Sequence, residues 1–352
     1  MLRKICLLSF LLLMTFSLFG TMTVAEKGDA NLKLTGSMFP GLKFDLEAED
    51  EEPKASFGLG TVWFILSGDI SEDFSYFFLY AVADGDNLFP IGNIYYKGVD
   101  NLTVRAGRFK VPFGRMYNAS GLKLMFKSRN PLNSYFGHGD DIGIATKYSF
   151  MDGMLDVEGG AFNGGGTFST NDDSYMLYSG YVSFAPMGQI PMHESAHMGY
   201  DDMKIAIMPG FSYDQEDPDF SEDPYKMTKY GAHIAFRMQT LAVDALYYMS
   251  STDHESWEDP RATMGFSLQA GYTIGKVEPC VRFTSYDPNT DEDNDAMTLG
   301  INSRATFEAG VNYYIDSYSS RLGLNFTNET VAEDDDDTMK KSQIDIYYEL
   351  LF

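Results

Sequence analysis

The last eleven residues of the chain, SQIDIYYELLF, alternate strictly. Ile344, Ile346, Tyr348, Leu350 and Phe352 fall on one face, and Gln343, Asp345, Tyr347, Glu349 and Leu351 on the other. A period of two marks a β-strand with unlike faces. The stretch RATFEAGVNYYID sets Ala305, Phe307, Ala309, Val311, Tyr313 and Ile315 against Arg304, Thr306, Glu308, Gly310, Asn312 and Tyr314, and DIGIATKYSF and RLGLNFT repeat the pattern. A soluble sandwich also alternates, so the distinction rests on length and on strand ends. These runs extend over about 9–12 residues, which crosses a bilayer at a tilt, whereas soluble strands are nearer to about 5–6. Many end in aromatic pairs such as Tyr95–Tyr96, Tyr247–Tyr248, Tyr313–Tyr314 and Tyr347–Tyr348, as the interfacial girdles of membrane barrels require.

The pattern predicts strands at 30–48, 55–69, 74–84, 91–98, 101–110, 141–150, 154–163, 174–186, 203–214, 229–238, 240–251, 263–273, 276–286, 303–315, 319–329 and 342–352. The total is sixteen, an even number, as a closed antiparallel barrel of this type needs. Pro40-Gly41 is a point where the first strand could split. With both termini on the periplasmic side, the connections after odd strands are the long external ones and most of the others are tight. Residues 187–202 break that rule, being a long connection where a short periplasmic turn is expected. The predicted external connections carry EAEDEEP, YDQEDPDFSEDPY, STDHESWEDP, DPNTDEDND and VAEDDDD. Such runs are either plain solvated loops or sites that attract cations to the pore mouth and bridge anionic lipid.

The N-terminus reads MLRKICLLSFLLLMTFSLFGTMTVAEKGD. A short basic start, an apolar stretch and the small residues of Thr23-Val24-Ala25 form the pattern of a secretory signal peptide at 1–25. That leaves 26–352 as a single transmembrane barrel domain. Cys280 is then the only remaining cysteine, and one cysteine forms no internal disulfide. The net charge of −25 argues against nucleic acid as a partner, since phosphates repel it. Aromatics at 15% argue against disorder.

One segment has the opposite sign. From Asn101 to Gly139 the chain contains Arg105, Arg108, Lys110, Arg115, Lys123, Lys127 and Arg129 and no acidic residue. A long third external loop that folds inward would place these cations at a constriction, where Arg and Lys favour anions and phosphate. Alternatively they face anionic lipid or pair with the acidic loops.

Several stretches resemble the phosphate-selective porin O and P family of bacterial outer membranes. FGLGTVWFILSGDISEDFSYFFLYAVAD (57–84) is similar to its early hairpin, and AGRFKVPFG (106–114) to its most recognisable motif, with Lys110 at the motif lysine. SRNPLNSYFGHGDDIGIATKY (128–148) resembles its return into the next strand, and FEAGVNYYIDSYSSRLGLNFT (307–327) its penultimate hairpin. The resemblance implies a sixteen-stranded barrel, often trimeric, in the outer membrane, with an anion-selective constriction and no catalysis. Arg237, Arg282, Arg304 and Arg321 are the candidates for wall arginines, and Arg304 and Arg321 fall on the polar strand faces. A terminal aromatic, here Phe352, is what such barrels present to the barrel-assembly machinery. Lipid, lipopolysaccharide and two further copies of the chain are the implied partners.

His193-Glu194-Ser195-Ala196-His197 matches the H-E-x-x-H pattern of zinc metalloproteases. That chemistry needs both histidines on one helix and a third ligand. No long apolar helix surrounds the motif, and Met203 stands where a metzincin third histidine would be. The expectation is a structured turn, with no metal, no cofactor and no enzyme activity. The sequence therefore reads as an all-β outer-membrane porin, a passive channel for small hydrophilic solutes with an expected preference for anions, phosphate among the candidates. The alternative is a plugged or structural barrel whose acidic loops bind cations, partners or surfaces.

Overall fold

A computed structural model of the chain describes residues 21–47, 53–82, 88–166, 171, 173, 175–216, 225–254, 259–290, 302–332 and 338–351. Nineteen strands are described: β1 (Met22–Lys27), β2 (Ala30–Met38), β3 (Gly41–Glu47), β4 (Lys54–Gly58), β5 (Val62–Asp69), β6 (Phe74–Val82), β7 (Leu88–Val99), β8 (Leu102–Lys110), β9 (Asp140–Phe150), β10 (Leu155–Phe162), β11 (Leu177–Phe184), β12 (Tyr200–Gln215), β13 (Tyr225–Gln239), β14 (Leu241–His254), β15 (Arg261–Tyr272), β16 (Val277–Asp287), β17 (Arg304–Asp316), β18 (Ser320–Ala332) and β19 (Thr338–Leu351). Each neighbouring pair is antiparallel, and the last strand returns to the first: Tyr347 pairs with Gly41 and Leu350 with Met38. Segments β2 and β3 are two halves of the first wall strand, and β4 and β5 two halves of the second. The result is a closed antiparallel barrel of sixteen strands, the number the alternation predicts.

The first wall strand does split at Pro40, which has no N–H to donate. Tyr348 N still donates to the Pro40 carbonyl at 2.9 Å, so the seam with β19 stays stitched across the break. The second wall strand yields at the same height, where Gly60 takes a φ of +60°. Phe39 and Trp63 meet edge to face beside this crease, their ring centroids 5.3 Å apart.

The tight connections carry the backbone conformations that narrow hairpins demand. Asn101, Met151, Asp152, Gln239 and Ser317 have positive φ, and every one lies in a short turn. The acidic connections 48–52, 217–224, 255–258, 291–301 and 333–337 lie outside the described residues, as do residues 1–20 and Phe352.

The wall is inside-out relative to a soluble protein. Along β17, Phe307, Val311 and Tyr313 are more than 40% exposed, while Thr306, Glu308, Asn312 and Tyr314 between them are buried. The apolar face looks away from the barrel axis and the polar face toward it, as a lipid belt requires. Gly107 tests the phase of β8. Its φ is +125°, yet the register with β7 runs unbroken from Arg108 to Val104. A Cβ there would meet Asn93 Cα at 2.8 Å and collide with the Gly92 carbonyl, so the motif glycine is required and the strand faces do not swap.

Val311 lies near the middle of β17 on the outer face, which yields a test of the membrane assignment. Val311→Arg should cost about 2–4 kcal/mol, the range for a cation at the midplane of a bilayer-embedded barrel. The measurement is reversible unfolding from lipid vesicles. A change within the noise would mean that this face meets water.

Candidate pore constriction

Residues 111–139 join β8 to β9, the fifth and sixth wall strands. They form three short helical turns, Arg115–Asn118, Gly121–Lys123 and Leu132–Phe136. Ser120 Oγ caps the second by accepting from Leu122 N at 3.3 Å. Phe113, Met116, Leu132 and Phe136 pack on Leu246, Tyr248 and Tyr286. Those three partners belong to β14 and β16, the eleventh and thirteenth wall strands.

Polar contacts reach still further round the ring. Asn312 Nδ2 donates to the Met125 carbonyl at 2.8 Å. Arg282 holds Glu308 through Nε at 2.5 Å and turns Nη1 and Nη2 to the Ser128 carbonyl at 3.4 Å. Arg321 is bonded to Glu349 and to the Leu124 carbonyl. Each arginine thus neutralises a wall carboxylate and ties down a loop carbonyl. The pairing is local in register, since Arg282 faces Glu308 and Arg321 faces Glu349 across adjacent strands. That register is the signal by which the sequence could have separated these arginines from a free ladder.

A second segment, 185–199, joins β11 to β12 and meets the first. Arg115 donates to the carbonyls of Ile190 at 2.9 Å and His193 at 3.1 Å, and to that of Pro191. Glu194 N donates to the Lys123 carbonyl at 3.1 Å, and Met125 N to Glu194 Oε2 at 2.8 Å. Arg237, paired with Asp244 at 2.9 Å, donates to the His193 carbonyl, also at 2.9 Å. Ser195 Oγ is bonded to Glu278. The connection at 187–202, expected as a structured turn, is a bonded segment with a buried centre, Glu194, Ser195 and Ala196 all being under 4% exposed. The polar inner face of β13–β18 supplies the partners that let it leave water.

The H-E-x-x-H side chains diverge. Lys123 Nζ lies 2.9 Å from His193 Nε2, Glu194 takes the Met125 amide, and His197 stacks on Tyr314 with centroids 3.7 Å apart and planes at 9°. None of the motif lies on a helix.

The basic residues part company in the same way. Arg105 is on the inner face of β8 and pairs with Glu158 at 2.7 Å. Arg108 shares its face with Ile142, which is 41% exposed, so strand parity sets it opposite to Arg105. Arg115 is 4% exposed and is committed to the 190–193 carbonyls. Lys110 Nζ donates to the Ala119 carbonyl at 2.9 Å, Arg129 Nη1 to the Met116 carbonyl at 2.9 Å, and Lys127 pairs with Asp345 at 2.6 Å. Of the wall candidates, Arg304 pairs with Glu329 at 3.4 Å and Arg321 is buried.

Two cavities flank the 111–139 segment. One, about 760 Å³, is lined by Trp63, Phe77, Arg105, Lys110, Lys123 and Arg129 among others. The other, about 490 Å³, is lined by Lys43, Lys127, Arg129, Arg282, Glu308 and Asp345 among others. Arg129 borders both, and neither is lined by Arg108, Arg115, Arg304 or Arg321.

Burial and the nearby cations Lys123, Arg115 and Arg237 push the His193 imidazole from its ordinary 6.5 down to about 4. The docked segment therefore holds the neutral ring, which accepts from the Lys123 ammonium. Above pH 6.5 the neutral ring contributes fully to docking, and that contribution is lost as pH falls through the interval toward 4. Acidification should loosen 185–199 over this range, read as protease cleavage of the folded barrel. His193→Gln accepts without titrating and should stay docked. Loosening of the variant at the parental pH would remove His193 from control.

Comparison with known proteins places this geometry. OmpT of Vibrio cholerae, in vitro folded and in trimer form, superposes with a TM-score of 0.57 at 12% identity, over 92% of this chain and 99% of that one. OmpF of Salmonella typhi, solved with daunomycin, gives 0.59 at 12%, over 94% and 100%. A BenF-like porin from Pseudomonas fluorescens gives 0.54 at 13%, over 92% and 99%. At these identities the likeness is one of fold. No curated protein matches the sequence. Fold and family suggest a channel rather than an enzyme and point to the bacterial outer membrane. The sequence matches the family described as phosphate-selective porin O and P over residues 33–345, and the chain belongs to that family.

Proposed function

We propose that the protein is a passive outer-membrane diffusion channel that prefers anions, with residues 111–139 as an inward-folded third external loop forming its constriction. The observation that carries this reading is the position of Arg129 on the border of both cavities. A permeating ion passing from one to the other meets that guanidinium, with Lys110 and Lys123 on one side and Lys127 on the other. In a narrow, low-dielectric passage such charges set the sign of the ion admitted. The channel needs no cofactor and performs no chemistry.

Residues 1–25 belong to this reading as a removable leader. Cleavage after Ala25 would take away Met22–Ala25 of β1, whose residues are all exposed, and the closing pairs of β19 with β2 and β3 do not use them. Assembly as a homotrimer, recognition of Phe352 by the assembly machinery, and contact with lipid and lipopolysaccharide complete the proposal. A second reading, the plugged barrel, has one observation in its favour: segments 111–139 and 185–199 bond to each other and to the inner wall.

The test is the reversal potential of the purified protein in a planar bilayer under a KCl gradient. Anion preference should reverse toward cations when Lys123 and Arg129 are both changed to Glu, and Arg115 is left alone because it holds the 190–193 carbonyls. Unchanged preference would remove the constriction assignment. Cation preference in the parent would hand control to the acidic connections. Folded, heat-modifiable protein without conductance would favour the plugged barrel.

A further inference from the structure

The larger cavity has two unlike sides. The inner faces of β5–β7 present Trp63, Ile65, Phe77, Leu79 and Ile91 to it. Their sequence neighbours Phe64, Leu66, Phe78 and Tyr80 are all more than 40% exposed on the outer face. These strands are therefore apolar on both sides, unlike β12–β19, whose inner residues include Arg237, Asp244, Glu278, Arg282, Asn312 and Glu349. Opposite the apolar side stands the basic segment. Lys110, Lys123 and Arg129 donate to a carbonyl, the neutral His193 ring and a carbonyl, each at 2.9 Å.

The carboxylates nearby answer only part of this charge. Glu158 is held by Arg105 at 2.7 Å and by the Tyr181 hydroxyl at 2.6 Å. Asp140 lies across the strand register from Lys110. The two sides also touch: a Cβ on Gly121 would run into the Trp63 indole, and Lys123 is two residues further along. Tyr117 stands between cations, its ring centroid 5.7 Å from Lys110 Nζ and 5.6 Å from Arg129 Cζ.

Inorganic phosphate and chloride gain nothing from an indole, a phenyl ring and three aliphatic side chains, and lose water beside them. An ion with an acid head and an apolar body satisfies both sides at once. The volume is within the about 300–1,000 Å³ typical of small-molecule sites. We propose that this cavity selects amphiphilic organic anions, carboxylates carried on an aromatic or alkyl body, over inorganic anions. The body lies on Trp63, Ile65, Phe77 and Leu79, and the head meets Lys110, Lys123 and Arg129. This inference rests on the anion-channel reading for its role in transport, while binding itself does not depend on conduction.

The experiment pairs two readouts on the full chain. In planar bilayers, acetate, benzoate, 4-phenylbutyrate and inorganic phosphate are titrated against the chloride current. Half-block should fall at least tenfold from acetate to 4-phenylbutyrate, with phosphate no better than acetate. Phe77→Ser with Leu79→Ser should flatten that series, and Lys123→Gln should weaken block by every anion. In parallel, Trp257→Phe leaves Trp63 as the only tryptophan, and its fluorescence should respond saturably to 4-phenylbutyrate. Channels that show neither block nor quenching by 4-phenylbutyrate, or tighter block by phosphate, overturn the proposal and leave the channel standing. Saturable quenching without any conductance keeps the site and overturns the channel. A stoichiometric lipid whose removal must precede 4-phenylbutyrate binding would make the occupant a lipid anion and overturn the solute assignment.

Discussion

Arg321 lies on the inner face of β18 with 1% of its surface exposed. A guanidinium cannot shed its charge, so burying it requires partners for its donors. Glu349 on the neighbouring strand answers the charge, and the carbonyl of Leu124 takes another donor. Arg282 and Arg237 repeat the arrangement with Glu308 and Asp244, reaching into the 111–139 and 185–199 segments. Breaking one partner away from such a pair costs about 3–5 kcal/mol, because the survivor is left charged and dry. The interior of the barrel is organised by these three residues. They convert a polar wall into a docking surface for backbone that would otherwise need water.

The docking surface also decides where the larger cavity is left. Carbonyls of the two segments engage the side of the barrel that carries β13–β19, where the inner side chains are charged or amidic. The side that carries β5–β7 offers few donors to a loop backbone, and the larger cavity is found there. Apart from Arg108, set by strand parity on the face opposite to Arg105, the cations of 105–129 divide into three groups. Arg115 secures segment against segment, Arg105 and Lys127 are matched by wall carboxylates, and Lys110, Lys123 and Arg129 face the cavity with neutral partners.

The period of two carried most of the architecture. Alternation in RATFEAGVNYYID assigned Glu308, Asn312 and Tyr314 to one face, and they are buried together inside the ring. The split that Pro40-Gly41 allows is a real discontinuity between β2 and β3. Strand parity says which way a side chain points, but not what waits for it across the lumen. Arg321 was legible as inward and not as a clamp on Leu124, because its loop partner is 197 residues away. The partners of Arg115 and of the MHESAH segment were hidden for the same reason. Pro191-Met192-His193 has no periodicity to show that two arginines, Arg115 and Arg237, converge on it from different elements. The acidic connections 48–52, 217–224, 255–258, 291–301 and 333–337 lie outside the described residues, and their charge is read from the sequence.

The clamps on the first segment also impose an order of events on assembly. Residues 124–129 are synthesised long before the side chains that hold them, which come from β16, β17 and β18. Contacts of such wide sequence separation are paid for in loop-closure entropy before they return any energy. Until β16, β17 and β18 are in place, residues 124–129 lack the holds of Arg282, Asn312 and Arg321, although Asn130 already meets Ser267 of β15 and the Phe136 carbonyl meets Lys229 of β13. A sheet complete only through β15 therefore holds the two ends of the segment but not its middle. Fixing that middle depends on the C-terminal third of the chain, which also seals the cylinder.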